Sequence, residues 1–111
     1  MSLVIPTRAL AKYNFDIALE GRLYRMQIMW NSRHEFWTLN ISDNQGNQIL
    51  RGIKLVINYE LIRRYKKEAL PPGALIPIDV TEKLERIGRN DLGTNVQLIY
   101  IPEEEFNELI Q

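Results

Sequence analysis

The sequence contains no cysteine, which excludes a disulfide framework and any metal site built on thiolates. It has a single histidine, His34, so a metal site built on a pair of histidines is excluded as well. The apolar runs, such as residues 55–57, are far too short to span a bilayer. None of the six glycines belongs to a GxGxxG or GxxxxGK[ST] phosphate-binding loop. These absences leave no recognisable site for a metal, a nucleotide or a redox reaction.

A surplus of either charge is also missing. Lysine and arginine together number 14, aspartate and glutamate together also number 14, and the formal net charge is zero. A protein that holds a nucleic-acid backbone normally has a basic surplus, so specific nucleic-acid binding is not expected. A neutral chain experiences little repulsion between copies, which favours association. The first eight residues lack the basic and long apolar regions of a secretory signal.

What the sequence does contain is a strong period of two between residues 23 and 56, which is typical of β-strands with one buried face. Apolar side chains occupy every second position of two neighbouring segments, at Tyr24, Met26, Ile28 and Trp30 and then at Trp37, Leu39 and Ile41. Tight turns are predicted at residues 20–21, 31–35 and 43–47, and Gly52 is predicted to mark a bulge. Together with a strand near residues 15–19, these segments form a four-strand meander.

The pattern changes at Asn58, which resembles a helix cap and precedes apolar residues at helical spacing. We therefore predict a short helix over residues 58–67, then strands near 75–80 and 96–101. Residues 81–87 could form one or two helical turns or a charged loop. The chain of 111 residues is expected to be a single domain. Its fold class is mainly β, a small antiparallel β-sandwich or partly open barrel, with a second short helix possible at the C-terminus.

Three features could carry a function, and each has a simpler interpretation. Trp30 and Trp37 flank one turn and could stack on bases, but aromatic residues more often pack β-sheets. The basic run at residues 63–67 could bind phosphate, but it could equally be the solvated end of a helix. His34 lies in a predicted turn without an evident nucleophile or orienting partner, so a surface histidine is the better interpretation.

The acidic run at residues 103–105 does not predict a metal site, because three adjacent carboxylates cannot all face one ion. It is better suited to the first turn of a helix or to a charged tail. No catalytic, cofactor-binding or metal-binding residues are therefore proposed, and an enzyme is the least supported class. The main alternative from the residues alone is a small-barrel nucleic-acid-binding module using Trp30, Trp37 and residues 63–67.

Several segments occur in an order and spacing that extend from Ile5 to Tyr100. They are Ile5-Pro6, Trp30-Asn31, residues 37–43, Gly46, residues 49–52, Leu55-Val56, residues 70–73 with a strand ending near Asp79, residues 91–93 and residues 96–100. In the order and spacing of these segments, the chain resembles the small baseplate plug proteins of contractile-tailed bacteriophages. It departs from them in the charged run at residues 81–90 and in residues 103–111, which extend past the usual end.

The resemblance implies a virion structural protein of the central baseplate that acts through protein–protein contacts. The implied partners are the hub and the distal end of the tail tube, with the tape-measure protein as a further candidate. Several copies per virion are expected, without catalysis, cofactors or membrane contact, and with assembly in the host cytoplasm.

The two ends of the chain are predicted to bind partners. Residues 1–8 form an N-terminal arm whose apolar strip is followed by Pro6, so this strip can be at most an edge strand or an extended arm. Residues 103–111 form a C-terminal tail with apolar residues at helical spacing. A helix of this length needs a surface to lie on, either on its own domain or on a neighbour. The candidate partner-binding residues are Leu3, Val4, Ile5, Phe106, Leu109 and Ile110.

Overall fold

The protein consists of seven β-strands, one 3-10 turn and one short α-helix within residues 2–109, which a computed structural model describes (Leu109 by its backbone alone). The strands are β1 (Leu3–Ile5), β2 (Lys12–Leu19), β3 (Arg22–Asn31), β4 (Phe36–Asp43), β5 (Gln48–Lys54), β6 (Ala74–Asp79) and β7 (Val96–Ile101). The 3-10 turn is Arg63–Tyr65, and α1 is Glu103–Leu109.

The strands form two antiparallel sheets. The larger is the predicted meander, in the order β2-β3-β4-β5, and the smaller has the order β1-β7-β6. One cluster of buried apolar side chains draws on the inner faces of both sheets. The prediction of a mainly β protein is confirmed. Of the two architectures left open by the sequence, the two sheets stay separate and do not close into a barrel.

The alternating residues of the meander form its core, as predicted. Met26 pairs with Ile41, Ile28 with Leu39, and Trp30 with Trp37 across β3 and β4. Trp37 is completely buried, whereas Trp30 is only partly buried. Their rings meet edge to face with centroids 5.3 Å apart, a favourable arrangement for aromatic pairs. The two tryptophans therefore stabilise the hairpin from within.

The bulge predicted at Gly52 is present, and a buried asparagine stabilises it. The register between β4 and β5 shifts on both sides of Ile41. The amide of Gly52 donates to Oδ1 of Asn40 at 2.7 Å, and Nδ2 of Asn40 donates to Oε1 of Gln27 at 2.9 Å. Asn40 is 8% exposed, so these bonds replace water around an otherwise costly polar group.

The helix predicted over residues 58–67 is wrong in extent, because only Arg63–Tyr65 forms a 3-10 turn. Asn58 has a positive φ of 61° instead of the extended conformation of a helix cap. Its amide and that of Leu61 donate to the carbonyls of Pro77 and Leu75 in β6, at 2.7 and 2.9 Å. This segment thus bonds to the edge of a sheet, a long-range pairing that local spacing does not reveal.

Two glycines allow backbone segments to approach closely around the smaller sheet. A Cβ at Gly73 would lie 2.1 Å from the carbonyl oxygen of Ile101. A Cβ at Gly93, whose φ is +85°, would lie 2.3 Å from the carbonyl oxygen of Thr7. No side chain fits at such distances, and the positive φ at Gly93 adds strain for any other residue. Both glycines belong to segments that carry the family resemblance.

Candidate interaction sites

The N-terminal strip is built into the smaller sheet as an edge strand. β1 pairs with β7, so that Leu3 faces Tyr100, Val4 faces Ile99 and Ile5 faces Leu98. Ile5 is completely buried in the core, while Leu3 is 40% and Val4 55% exposed. Of the three predicted partner-binding residues at this end, two are therefore accessible to another protein.

The outer face of the smaller sheet is apolar, a feature that the sequence pattern does not predict. Val4, Ile99 and Ile76 lie side by side across the three strands, and Ile78 continues the row along β6. Val4 is exposed and the three isoleucines are partly buried. We call these four residues the outer band. The sequence does contain a signal for this face, the run of consecutive apolar residues in β6 and β7. A strand with two apolar faces has apolar side chains at successive positions instead of at every second one.

The C-terminal helix lies against its own domain at several points. Oγ of Ser2 donates to Oε1 of Glu105 at 3.1 Å, and the amide of Glu103 donates to Oε2 of Glu20 at 3.3 Å. The guanidinium of Arg63 lies 4.6 Å from the ring centroid of Phe106, close enough for a cation–π interaction. Phe106 is partly buried.

The remaining tail residues give less information. Ile110 lies outside the described residues, and only the backbone of Leu109 is described. The acidic residues 103–105 form the first turn of α1, where carboxylates are favourable near the N-terminus of a helix.

The basic run forms hydrogen bonds within its own chain. Arg63 donates to the carbonyl of Pro72 at 2.9 Å, and Lys67 donates to the carbonyl of Ile49 at 3.0 Å. Arg64 donates to the hydroxyls of Tyr59 and Tyr65, each at 3.1 Å. Lys67 thus ties the segment between β5 and β6 to β5, and the two arginines form hydrogen bonds within that segment, which gives the run a structural role.

A buried tyrosine joins the two sheets and the start of α1. The hydroxyl of Tyr100 donates to Glu20, in the turn between β2 and β3, and accepts a hydrogen bond from the amide of Gly73 at 2.8 Å. Burial raises the pKa of Tyr100 far above its usual value, and the neighbouring Glu20 raises it further. The hydroxyl therefore keeps its proton at physiological pH and serves as a fixed cross-link.

A second polar cluster closes the end of β6. The carboxylate of Asp79, 6% exposed, accepts hydrogen bonds from Thr81 Oγ1 at 2.6 Å and from the amides of Thr81, Lys83 and Leu84. Burial alone would raise the pKa of Asp79, but these four bonds outweigh it and lower the pKa to about 2. They hold residues 81–84 as a charged loop, one of the forms left open by the sequence.

His34 is exposed in the turn between β3 and β4, as predicted, and its ring lies 6.2 Å from that of Phe36. Both line a cleft of about 180 Å³ together with Lys54, Leu55 and Ile87. Among the described residues, Glu35, Val56, Glu85 and Arg86 complete the lining. Within residues 2–109, no three histidine, aspartate or glutamate side chains are grouped to hold a metal ion. None of the described helical segments has the length and apolar character to cross a membrane.

A neutral two-sheet domain with an apolar outer face is the kind of protein that acts by contact with other proteins. The family model described as cyanophage baseplate Pam3 plug gp18 matches residues 3–104. The chain belongs to this family of phage baseplate plug proteins, which confirms the resemblance found in the sequence. It is thus a structural protein of the phage virion. No curated protein matches the chain at the sequence level.

Proposed function

We propose that the protein is a plug in the central baseplate of a contractile phage tail. It acts through contacts with the hub and the distal end of the tail tube, with the tape-measure protein as a further candidate. Several copies enter each virion, after assembly in the host cytoplasm, and the protein has no catalytic role. The observation that carries this proposal is the outer band, an apolar sheet face on a domain of a baseplate plug family.

The composition of the outer band suits a protein interface. Its members come from three different strands but share one face, so they form a continuous apolar strip instead of scattered residues. Strips of this kind on small soluble domains commonly mark contact sites. Val80, which is 59% exposed, adds apolar area just beyond Ile78. A partner that covers this face would bury apolar side chains that the chain by itself leaves partly exposed to water.

The ends of the chain extend the proposed contact. Leu3 and Val4 supply the accessible part of the N-terminal arm, residues 1–8. In the tail, residues 103–111, we assign Phe106, Leu109 and Ile110 to partner binding. The described part of α1 is fastened by Ser2, Glu20 and Arg63, which places the beginning of the tail beside the arm.

Localisation in purified virions tests the function itself. An epitope-tagged chain should appear by cryo-electron microscopy in the central baseplate, in contact with hub and tube-end proteins. The purified chain should also bind isolated hub or tube-end complexes. A chain found only in the capsid or in the infected cell would contradict the proposed function.

Deletion of residues 103–111 tests the role of the tail. If the shortened domain keeps its melting temperature but fails to join hub or tube-end complexes, the tail is a partner-binding segment. If the deletion lowers the melting temperature while the folded fraction still joins these complexes, the tail belongs to the domain and the assignment of its residues is wrong. Phe106→Ala, which removes the partly buried ring that contacts Arg63, is the milder companion variant.

A further inference from the structure

The two sheets have four edge strands, and three of these edges are protected against pairing with another chain. β1 is only three residues long and is followed by Pro6, which cannot donate to a ladder. The free edge of β6 is occupied by the amides of Asn58 and Leu61. β5 is bent by its bulge, and Lys67 binds the carbonyl of Ile49. Short strands, prolines, bulges and covering segments are the usual means by which proteins block their edges.

The fourth edge, that of β2, lacks all of these protections and carries only the exposed charges of Lys12 and Asp16. β2 is eight residues long, contains no proline and pairs with β3 in an unbroken register. Among the described residues, no backbone hydrogen bond outside that ladder involves Asn14, Asp16 or Ala18. The strand therefore offers a long regular edge to solvent, which in natural proteins is a template for strand addition.

The register identifies which backbone groups face outward. Leu19 and Arg22 flank a two-residue turn, so they form a hydrogen-bonded pair, and such pairs recur at every second residue. The carbonyl of Ala11 accepts from the amide of Trp30 at 2.7 Å, which agrees with this alternation. The odd-numbered residues of β2 thus bond to β3. The amides and carbonyls of the even-numbered residues, Lys12, Asn14, Asp16 and Ala18, point to the free edge.

We propose that β2 pairs antiparallel with β2 of a second copy of this chain, around a two-fold axis at Asn14. The two meanders then form one continuous eight-stranded sheet. In this register Asn14 faces Asn14 of the partner subunit, and Lys12 faces Asp16 of the partner subunit. The symmetry repeats the Lys–Asp pair, so one interface contains two of them.

Charge favours this register over its neighbours, because an axis at Tyr13 or Phe15 would form no Lys–Asp pair. An axis at Asp16 would place two aspartates directly opposite each other, and an axis at Lys12 would do the same with two lysines. Like charges at facing positions destabilise a sheet, whereas opposite charges stabilise it. Asp16 also accepts a hydrogen bond from Arg25 at 3.0 Å, with both side chains about half exposed. This bond holds the carboxylate on the outer face of β2.

The core-facing side of the strand supports the same pairing. Phe15 and Ile17 are only partly buried, because no strand lies beyond them to cover the edge of the core. With the axis at Asn14, Tyr13 faces Phe15 of the partner subunit, and Phe15 faces Tyr13 of the partner subunit. Aromatic pairs are among the most stabilising cross-strand contacts. A second copy thus extends the hydrogen-bonded ladder of the sheet and adds apolar side chains beside the exposed edge of the core.

The favoured occupant is a second copy, because the strand is complementary to itself. Lys12 and Asp16 have opposite charges and lie two residues on either side of Asn14, so each faces its counter-charge in a second copy. The zero net charge of the chain also leaves little repulsion between two copies. This inference goes beyond the baseplate role and does not depend on it, since the isolated chain tests it.

The first test uses sedimentation of the purified full chain with two variants of one residue. Asn14→Pro removes an amide that faces the free edge and leaves the β2–β3 ladder intact, so the chain should be folded but monomeric, with a melting temperature that no longer depends on protein concentration. Asn14→Ala keeps the amide and should dimerise like the wild type. A wild-type chain that is monomeric even at about 1 mM would overturn the proposal. So would an Asn14→Pro variant that is folded and still dimeric.

The second test distinguishes self-pairing from pairing with a foreign strand. Lys12→Glu places two acidic pairs at the interface, and Asp16→Lys places two basic pairs there. Each variant alone should dimerise about tenfold more weakly than the wild type. An equimolar mixture should form a heterodimer of near wild-type affinity, because both facing pairs then have opposite charges. Lys83→Glu, a distant change of the same charge, should have no effect.

Failure of the mixture to restore the dimer would overturn this register. Baseplate incorporation that remains normal in that case would leave the proposed function standing, so the two proposals can fail separately.

Discussion

The outer faces of the two sheets differ in chemistry, although both sheets are antiparallel and share one core. The larger sheet has polar side chains that bond to one another, such as Asp16 with Arg25 and Asn40 with Gln27. The smaller sheet presents the outer band, from Val4 to Ile78. Polar groups that bond to one another need no further covering surface, whereas burying an apolar strip against another surface is favourable. We therefore assign contact with other baseplate proteins to the outer face of the smaller sheet, while the larger sheet offers its β2 edge to a second copy.

The largest expected effect concerns the inner face of the larger sheet. Trp37→Ala should lower the free energy of unfolding by about 3–5 kcal/mol, because it empties a completely buried site. It also removes the hydrogen bond from Nε1 to the carbonyl of Gly88, at 3.0 Å. Trp30→Ala, at a partly buried position, should cost less. Chemical denaturation measures both, and an unchanged midpoint for Trp37→Ala would show that the strand register is wrong.

The cross-link between the sheets should have a smaller effect. Tyr100→Phe removes the hydrogen bonds to Glu20 and Gly73 and should cost about 1–3 kcal/mol. Tyr24→Phe is the matched control, because the buried hydroxyl of Tyr24 has no hydrogen-bond partner among the described residues. That variant should be neutral or slightly stabilising. Equal losses for the two variants would argue against a special role for Tyr100.

The carboxylate at the end of β6 should make the stability of the fold depend on acid. Because the pKa of Asp79 is lowered to about 2, compared with about 3.9 in an unfolded chain, its ionised form stabilises the fold. This contribution is complete above about pH 4 and is lost as the pH falls towards 2. Asp79→Asn should therefore lower stability near neutrality and flatten the stability curve between these values. Denaturation midpoints across this range measure the effect, and parallel curves for wild type and variant would contradict it.

The smallest expected effect is the binding of nucleic acid. Trp37 is buried, and three of the four basic side chains in residues 63–67 bond to their own chain. Fluorescence titration with single-stranded DNA at physiological salt should show no appreciable binding. Micromolar binding with a steep salt dependence would favour the nucleic-acid-binding module instead. That interpretation further requires that neutralising Arg63, Arg64, Lys66 and Lys67 abolishes the binding.

The sequence predicts the larger sheet far better than the smaller one. Residues 23–56 pair with near neighbours, so a period of two and short turns are enough to define the meander. In the smaller sheet, β1 pairs with β7 at the other end of the chain, and residues 58 and 61 bond to β6. Such pairings leave no local signal. This is why the helix over residues 58–67 was predicted too long and why Ile5 was grouped with the accessible residues of its strip.

The proposed contact surface is predictable from the sequence only in part. Leu3 and Val4 were identified from the strip before Pro6, and Val4 belongs to the outer band. Ile76, Ile78 and Ile99 were not identified, because a consecutive apolar run does not show which of its two faces meets the core. The supporting side chains of Asn40 and Asp79 were missed for a similar reason. Their partners are backbone amides whose positions depend on a bulge and a loop.

The most direct test of this account compares two apolar residues on the two outer faces. Val4 on the smaller sheet and Leu23 on the larger sheet are 55% and 45% exposed. Val4→Asp and Leu23→Asp should both fold with melting temperatures close to wild type, because neither side chain lies in the core. Measured as the amount of each variant in purified baseplates, Val4→Asp should be lost and Leu23→Asp should be incorporated normally. Equal incorporation of the two folded variants, or loss of Leu23→Asp alone, would contradict the assignment of the smaller sheet as the contact surface.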